Sequence, residues 1–231
     1  MIAIDANVLL GCRDLACGHG RSAVLSGVQW DVHAGEHWCV VGANGSGKST
    51  LVATLLGLLP ALGGSVSPPG GAGGARALGF VPQEPTFAAT LPCTVAEFTA
   101  LGLDPAVPRA QRAEPVRRAL VTMGLARLAA ADVRRLSLGQ RRRVMVARAL
   151  ARTPRLLVLD EPCASLDPEA ALRLVADLER LRSTDGLAIV HVTHEIGLAR
   201  ATATHVATVA DGRVMTGPAS RLLPQRPMEA R

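Results

Sequence analysis

The amino-acid sequence predicts an α/β fold that combines a mainly parallel sheet, a small N-terminal antiparallel β layer and a helical insert. Two observations predict the sheet. Short aliphatic runs recur between helix-like stretches, which is typical of buried parallel strands joined by helices. A glycine-rich loop also follows one of these runs, where a strand would pass into a helix. The predicted strands are residues 28–32, 37–41, 77–81, 156–160, 187–192 and 205–210.

The first of these runs predicts the antiparallel layer. Val28, Trp30 and Val32 alternate with the polar residues Gln29 and Asp31. Such alternation is typical of a strand that buries one face only, as antiparallel sheets allow. We therefore expect residues 28–32 to lie outside the buried parallel sheet.

The helical insert is predicted between residues 84 and 153, where apolar residues such as Val116, Leu120 and Met123 recur at helical spacing. Glycines and prolines predict a flexible connection over residues 63–74 and a frayed tail from residue 216. We divide the single domain, residues 1–231, into three parts. They are a core of residues 1–83 and 154–217, the insert of residues 84–153, and a tail of residues 218–231.

Composition excludes several classes of protein. A hydrophobic content of 48% with 19% charged residues excludes a disordered polyampholyte. No apolar stretch approaches the length of about 20 residues that a membrane-spanning helix needs. The N-terminus, with Asp5 and no basic region, does not resemble a signal peptide, so we expect a cytosolic chain. The five cysteines are scattered and predict reduced thiols, with no disulfide framework or zinc site.

A phosphate-binding loop is predicted at residues 42–49, which match the pattern G-x-x-x-x-G-K-[ST] between an apolar and a helical segment. Its glycines let backbone N–H groups surround a polyphosphate. Lys48 is the sole lysine among 25 basic residues and supplies a compact charge to the β- and γ-phosphates, while Ser49 can ligate Mg²⁺. The predicted nucleotide-binding residues here are Gly42, Ala43, Asn44, Gly45, Ser46, Gly47, Lys48, Ser49 and Thr50.

A carboxylate pair completes this pattern. Asp160 and Glu161 follow the aliphatic residues 156–159, which predict a buried strand. Asp160 at the strand end is expected to bind Mg²⁺, and Glu161 is expected to act as the general base that polarises the attacking water. The two motifs together predict a P-loop NTPase.

Nearly the whole chain, from about Leu15 to Gly217, resembles the ATP-binding cassette of ABC transporters. Four further segments follow the family's order and spacing, and six ordered motifs are far more specific than one. Those segments are residues 81–84, similar to the Q-loop, residues 136–140, similar to the signature motif, residues 165–167, similar to the D-loop, and residues 193–195, similar to the switch-histidine loop.

The resemblance implies roles for the residues of these segments. Gln83 is expected to reach Mg²⁺ or the attacking water, and His194 the γ-phosphate. A helix after Ser137, with Gly139 and Gln140 in its first turn, is expected to contact the ATP of a second subunit. Catalysis is thus assigned to Glu161, His194 and Gln83, and metal binding to Ser49, Gln83 and Asp160.

The resemblance also implies partners. One chain carries one P-loop and one signature segment, so two ATP molecules would be sandwiched in a head-to-tail dimer, expected to be a homodimer. An integral membrane permease is expected as a partner, which would place this chain at the cytoplasmic face of the cell membrane, and a substrate-binding protein is a further candidate partner. Separate ATPase and permease chains favour import. The segments at residues 35–38 and 160–163 resemble a molybdate or iron-complex uptake subgroup.

Two positions depart from the family pattern. Leu138 replaces the first of the two glycines usual in the signature motif, which reduces backbone freedom there. The aromatic residue that stacks on adenine is missing, since no aromatic residue lies near Cys17 or His19. We expect either His19 or apolar packing by Cys17 to replace it.

An alternative function is a soluble, non-transport cassette that acts on nucleic acid or the ribosome. The net charge of +6 and the arginines at positions 134, 135 and 141–143 favour it. This cluster of arginines is nevertheless interpreted as a solvated helix face, and the insert is too short for the coiled coil of DNA-repair cassettes. No nucleic-acid partner is therefore expected.

Overall fold

Nine strands form two sheets within the residues that the computed structural model describes, which are 7–67, 69–83, 92–164 and 166–223. The strands are β1 (Val8–His19), β2 (Ser22–His33), β3 (His37–Val41), β4 (Gly63–Val66), β5 (Leu78–Val81), β6 (Leu156–Asp160), β7 (Ala188–Thr193), β8 (His205–Ala210) and β9 (Arg213–Pro218). The smaller sheet is antiparallel, in the order β2-β1-β4. The larger has the order β5-β6-β7-β3-β8-β9, and its first five strands are parallel. The predicted mixed α/β architecture is confirmed.

Seven α-helices connect or cover these strands in the described ranges. They are α1 (Lys48–Leu55), α2 (Val95–Ala100), α3 (Ala113–Thr122), α4 (Leu138–Leu150), α5 (Pro168–Asp185), α6 (Ile196–Thr202) and α7 (Ala219–Leu222). Short 3-10 turns occur at Gly71–Ala77, Arg109–Gln111, Ala126–Leu128 and Val133–Arg135. None of the helices in these ranges is long and apolar enough to cross a membrane.

Apolar side chains fill both faces of the larger sheet. One cluster joins it to the antiparallel sheet and α1, and there the rings of Trp30 and Trp38 meet edge to face at 5.3 Å. A second cluster lies beneath α4 and α5 on the opposite face, where Val144 and Leu178 are fully buried. Because β3, β6 and β7 are buried along their whole length, their sequences are nearly continuous apolar runs.

Two expectations about irregular segments are wrong. Residues 63–66 form β4 instead of a flexible connection, and Gly64 is required there because a Cβ atom would lie 2.3 Å from the Asp14 carbonyl oxygen. Residues 216–223 are not frayed either, since β9 pairs with β8 and Ala219 packs on Val206 in a third apolar cluster. The rest of the predicted tail, residues 224–231, lies outside the described residues.

Helices α2, α3 and α4 lie between β5 and β6 in the chain and pack on one another. Gly102, just after α2, approaches α4 so closely that a Cβ atom would lie 1.8 Å from the Arg148 carbonyl oxygen. The Arg152 side chain also donates to the carbonyl oxygen of Gly102, at 3.0 Å. The position of α4 therefore depends on a residue without a side chain at position 102.

Gly102→Ala is expected to lower the free energy of unfolding by about 1–3 kcal/mol, because the added methyl group forces α2 and α4 apart. Denaturant unfolding followed by circular dichroism measures the change. Gly197→Ala is the matched control: a Cβ atom there meets nothing within 4 Å, inside α6. It should raise the stability by about 0.5–1 kcal/mol. Equal stability of the two variants would contradict the close helix contact.

Candidate nucleotide-binding site

The phosphate-binding loop connects the end of β3 to the start of α1, as the motif requires. Gly47 adopts φ 104° at the N-terminus of α1, a left-handed conformation that favours glycine. Gly42 lies so close to β8 that a Cβ atom would be 2.4 Å from the carbonyl oxygen of Val209. The loop thus follows a tight path that only glycine permits at these two positions.

Lys48 lies inside this loop, with 6% of its surface exposed. Its Nζ donates to the carbonyl oxygens of Gly42 at 3.0 Å and Ala43 at 2.9 Å. The ammonium group is therefore held against the backbone at the start of the loop. Its compact shape suits this space better than a planar guanidinium would.

A cavity of about 480 Å³ opens beside the loop. His19 is part of its wall, and His19 Nε2 lies 3.3 Å from Thr50 Oγ1. Cys17, in contrast, is fully buried in the apolar core. Of the two residues considered for adenine contact, His19 faces the cavity. The wall consists of His19, Val24, Asn44, Gly45, Gly47, Lys48, Ser49, Thr50, Gln83 and Glu161.

Asp160 ends β6 beside Ser49, with 9% of its surface exposed. Burial raises the pKa of its carboxyl group, while a hydrogen bond with Ser49 and the charge of Lys48 oppose this shift. Asp160 Oδ1 is buried and has no hydrogen-bond partner among the described residues. A carboxylate oxygen without a partner, next to a hydroxyl group, fits the oxygen ligands that Mg²⁺ prefers.

The three residues predicted to be catalytic meet at Glu161. Gln83 Nε2 donates to Glu161 Oε2 at 2.9 Å, and His194 Nδ1 lies 3.4 Å from Glu161 Oε1. Glu161 has φ 46°, a left-handed conformation that is uncommon outside glycine. The Glu161 carboxylate is therefore held in one orientation by a contact at each of its oxygen atoms and by its constrained backbone. This arrangement fits a general base at the cavity wall.

Arg142 connects this cluster to α4. Its burial contradicts the interpretation of residues 141–143 as a solvated face. Only 8% of the residue's surface is exposed, and its guanidinium group donates to the Gln83 carbonyl oxygen at 2.6 Å. Arg143 pairs with Asp177 at 2.5 Å. Sequence reasoning missed both contacts because their partners lie far away in the chain.

The signature segment lies apart from the loop. Ser137 caps α4, accepting from the Gln140 N–H at 3.3 Å, and the Gln140 side chain accepts from the Ser137 N–H at 2.9 Å. Leu138 points outward, 47% exposed. Ser137, Gly139 and Gln140 line a second cavity of about 400 Å³, which includes Asp167 and shares no wall residue with the first.

The structure thus divides the predicted residues into two groups. Asn44, Gly45, Gly47, Lys48, Ser49 and Thr50 line the first cavity with Gln83 and Glu161, while Ser137, Gly139 and Gln140 line the second. The remaining predicted residues lie close to these groups. Gly42 and Ala43 accept hydrogen bonds from Lys48, and Ser46 Oγ is buried in the loop. Asp160 lies beside Ser49, and His194 contacts Glu161. Glu84 and Ser165 lie outside the described residues.

This chain is similar to known proteins in sequence and in fold. A family model described as "ABC transporter" matches residues 25–164. The zinc import ATP-binding protein ZnuC of Cereibacter sphaeroides is 39% identical over 207 residues, which are 90% of this chain and 78% of that protein.

Two solved structures share the fold. One is an ABC transporter assigned to the metal-chelate type, in an inward-facing conformation, with a TM-score of 0.84 and 26% identity over 94% of this chain and 86% of that chain. The other is CbiO1 of Clostridium perfringens, part of the ABC transporter complex CbiONQ, with a TM-score of 0.83 and 25% identity over 94% of this chain and 90% of that chain. The chain therefore belongs to the ABC transporter family, as one of its ATP-binding subunits.

Proposed function

We propose that this ATPase hydrolyses MgATP as a dimer and drives solute import through a separate membrane permease. The observation that carries the proposal is the position of Glu161. Its carboxylate is held between Gln83 and His194 at the wall of the cavity that contains Lys48. A base, a phosphate-binding loop and a metal-binding carboxylate in one place are the parts that phosphoryl transfer to water requires.

In the proposed reaction, the loop N–H groups and Lys48 bind the phosphates of ATP. Asp160 and Ser49 would hold Mg²⁺, which neutralises charge on the β- and γ-phosphates when bound. Glu161 accepts the proton of the attacking water. Gln83 and His194 keep the carboxylate oriented, and His194 is exposed enough to reach the γ-phosphate as well, with a side chain that is 49% exposed.

The second cavity supports a dimer. Its wall residues Ser137 and Gly139 stand at the N-terminus of α4, where free N–H groups and the helix dipole favour an anion. This second cavity has no wall residue in common with the loop cavity of the same chain. A second copy in head-to-tail orientation would therefore bring its own signature segment against this chain's ATP.

The relatives bear on the membrane partner and the cargo. One relative is named as a zinc import ATP-binding protein, and one solved neighbour is part of a larger transporter complex. We infer that this chain lies at the cytoplasmic face of the membrane, bound to a permease, and that a metal ion or metal complex is the cargo. A substrate-binding protein would deliver that cargo. No observation favours the nucleic-acid alternative, since Arg134, Arg142 and Arg143 contact groups of the chain itself.

Glu161→Gln should keep ATP affinity but reduce the hydrolysis rate about 100-fold or more, because the amide cannot accept the proton. Phosphate release measures the rate, and size-exclusion chromatography with ATP should show a trapped dimer. Glu114→Gln, on the exposed surface of α3, is the control and should be fully active. Full turnover by Glu161→Gln would contradict the role of Glu161 as base.

Lys48→Ala should weaken ATP binding about 10–100-fold, through loss of charge-assisted contacts. Lys48→Arg should be impaired to a similar degree, because the planar guanidinium group does not fit inside the loop. Equilibrium binding of a fluorescent ATP analogue measures both. Arg109→Ala removes the same charge from an exposed turn and should leave affinity unchanged. Wild-type affinity of Lys48→Ala would contradict the phosphate contact.

Co-expression with a candidate multi-span permease tests the transport function. The two chains should copurify from membranes, and ATP hydrolysis in liposomes should rise several-fold when the permease and its loaded binding protein are present. Mixing with DNA or RNA should leave the rate unchanged. Failure of every candidate permease to bind the chain, together with salt-sensitive nucleic-acid binding, would favour the alternative function.

A further inference from the structure

Three potential metal ligands meet inside the larger sheet, away from the nucleotide site. His37 and Cys39 lie on β3 and His191 on the neighbouring β7, and all three are fully buried. Alternation places His37 and Cys39 on one face of the sheet, and Cys39 is the register partner of His191. Their ligand atoms all lie within 4.8 Å of one another.

The ring nitrogens of the two imidazoles in this cluster lack hydrogen-bond partners among the described residues. Neither nitrogen of His37 or His191 makes a hydrogen bond within the described part of the chain. The rings stack on each other at 6.1 Å, with 14° between their planes. Burying a polar atom without a partner is costly, so four such atoms in one place require an explanation. A bound cation would supply it.

Burial and a nearby carboxylate act on the side chains of this cluster. Burial lowers the pKa of His37 to about 4 and that of His191 to about 3. Burial raises the pKa of Cys39 to about 12, so a metal would have to displace the thiol proton on binding. A carboxylate stands beside the cluster, with Glu179 Oε2 at 3.9 Å from His37 Nδ1, as is common next to zinc-bound histidine.

We propose that His37, Cys39 and His191 form a buried zinc site with three protein ligands. Zn²⁺ accepts a mixed set of imidazole and thiolate ligands, at bond lengths that place neighbouring ligand atoms about 3.3–3.6 Å apart. Small rotations of the three side chains would close the present separations to that range. The proposal does not depend on ATP hydrolysis or transport.

This site would connect the two strands that lead into the nucleotide site. Strand β3 passes into the phosphate-binding loop after Val41, and β7 passes into His194 after Thr193. A zinc ion bound by both strands would fix their separation from within the core. Because the ligands are fully buried, the ion would be incorporated during folding and retained afterwards.

Refolding of the untagged full chain tests the proposal. The protein is unfolded with denaturant, reductant and chelator, then refolded with and without zinc, in the absence of nucleotide. After passage over a chelating resin, we expect one zinc ion per chain. We also expect a melting temperature higher by about 5–10 °C at free zinc about 100-fold above Kd. X-ray absorption at the zinc edge should show one sulfur and two imidazole ligands.

Cys39→Ser should lose the retained zinc, while Cys163→Ser, which removes another buried thiol, should keep one ion per chain. If Cys39→Ser does not fold, the zinc content and absorption spectrum of the wild-type chain decide alone. Wild-type protein without retained zinc, zinc without a sulfur ligand, or retention by folded Cys39→Ser would overturn the proposal. Retention of copper(I) in place of zinc would overturn the choice of metal.

Discussion

The parallel pairing of β5, β6, β7 and β3 is the constraint on which the rest of the site depends. Because parallel strands end at the same edge of a sheet, residues distant in sequence arrive there together. Gln83 follows β5, Asp160 and Glu161 come from β6, His194 follows β7, and the phosphate-binding loop follows β3. The apolar runs that hold the core together are thus also what positions the chemistry.

Charge at that edge is arranged around the buried ammonium group of Lys48. Lys48 is held by two backbone carbonyl oxygens. Its positive charge lowers the pKa of the Asp160 carboxyl group and so opposes the rise that burial causes. A lysine in this place provides positive charge without filling the cavity. Every other Lys/Arg position of the chain is an arginine. An example is Arg143, whose planar guanidinium group reaches the carboxylate of Asp177.

Patterns within short segments predicted much of this structure, and contacts between distant segments account for what was missed. Strands β3, β6 and β8 lie where their apolar runs predict them. Strand β1 was missed because register shifts interrupt its pairing with β2, so no clean alternation is visible. The burial of Arg142 depends on Gln83, 59 residues away, and the cluster of His37, Cys39 and His191 exists only because β3 pairs with β7.

The buried Arg142 also gives the two cavities a physical connection. Helix α4 begins at the signature segment, and Arg142 on that helix donates to the backbone of Gln83, whose side chain donates to Glu161. A displacement of α4 would therefore act on the carbonyl group of Gln83 and, through its amide, on the orientation of the proposed base. Since Glu161 also has a strained backbone, its alignment depends on these contacts. The signature segment and the proposed base are accordingly linked through α4 and two hydrogen bonds within one chain.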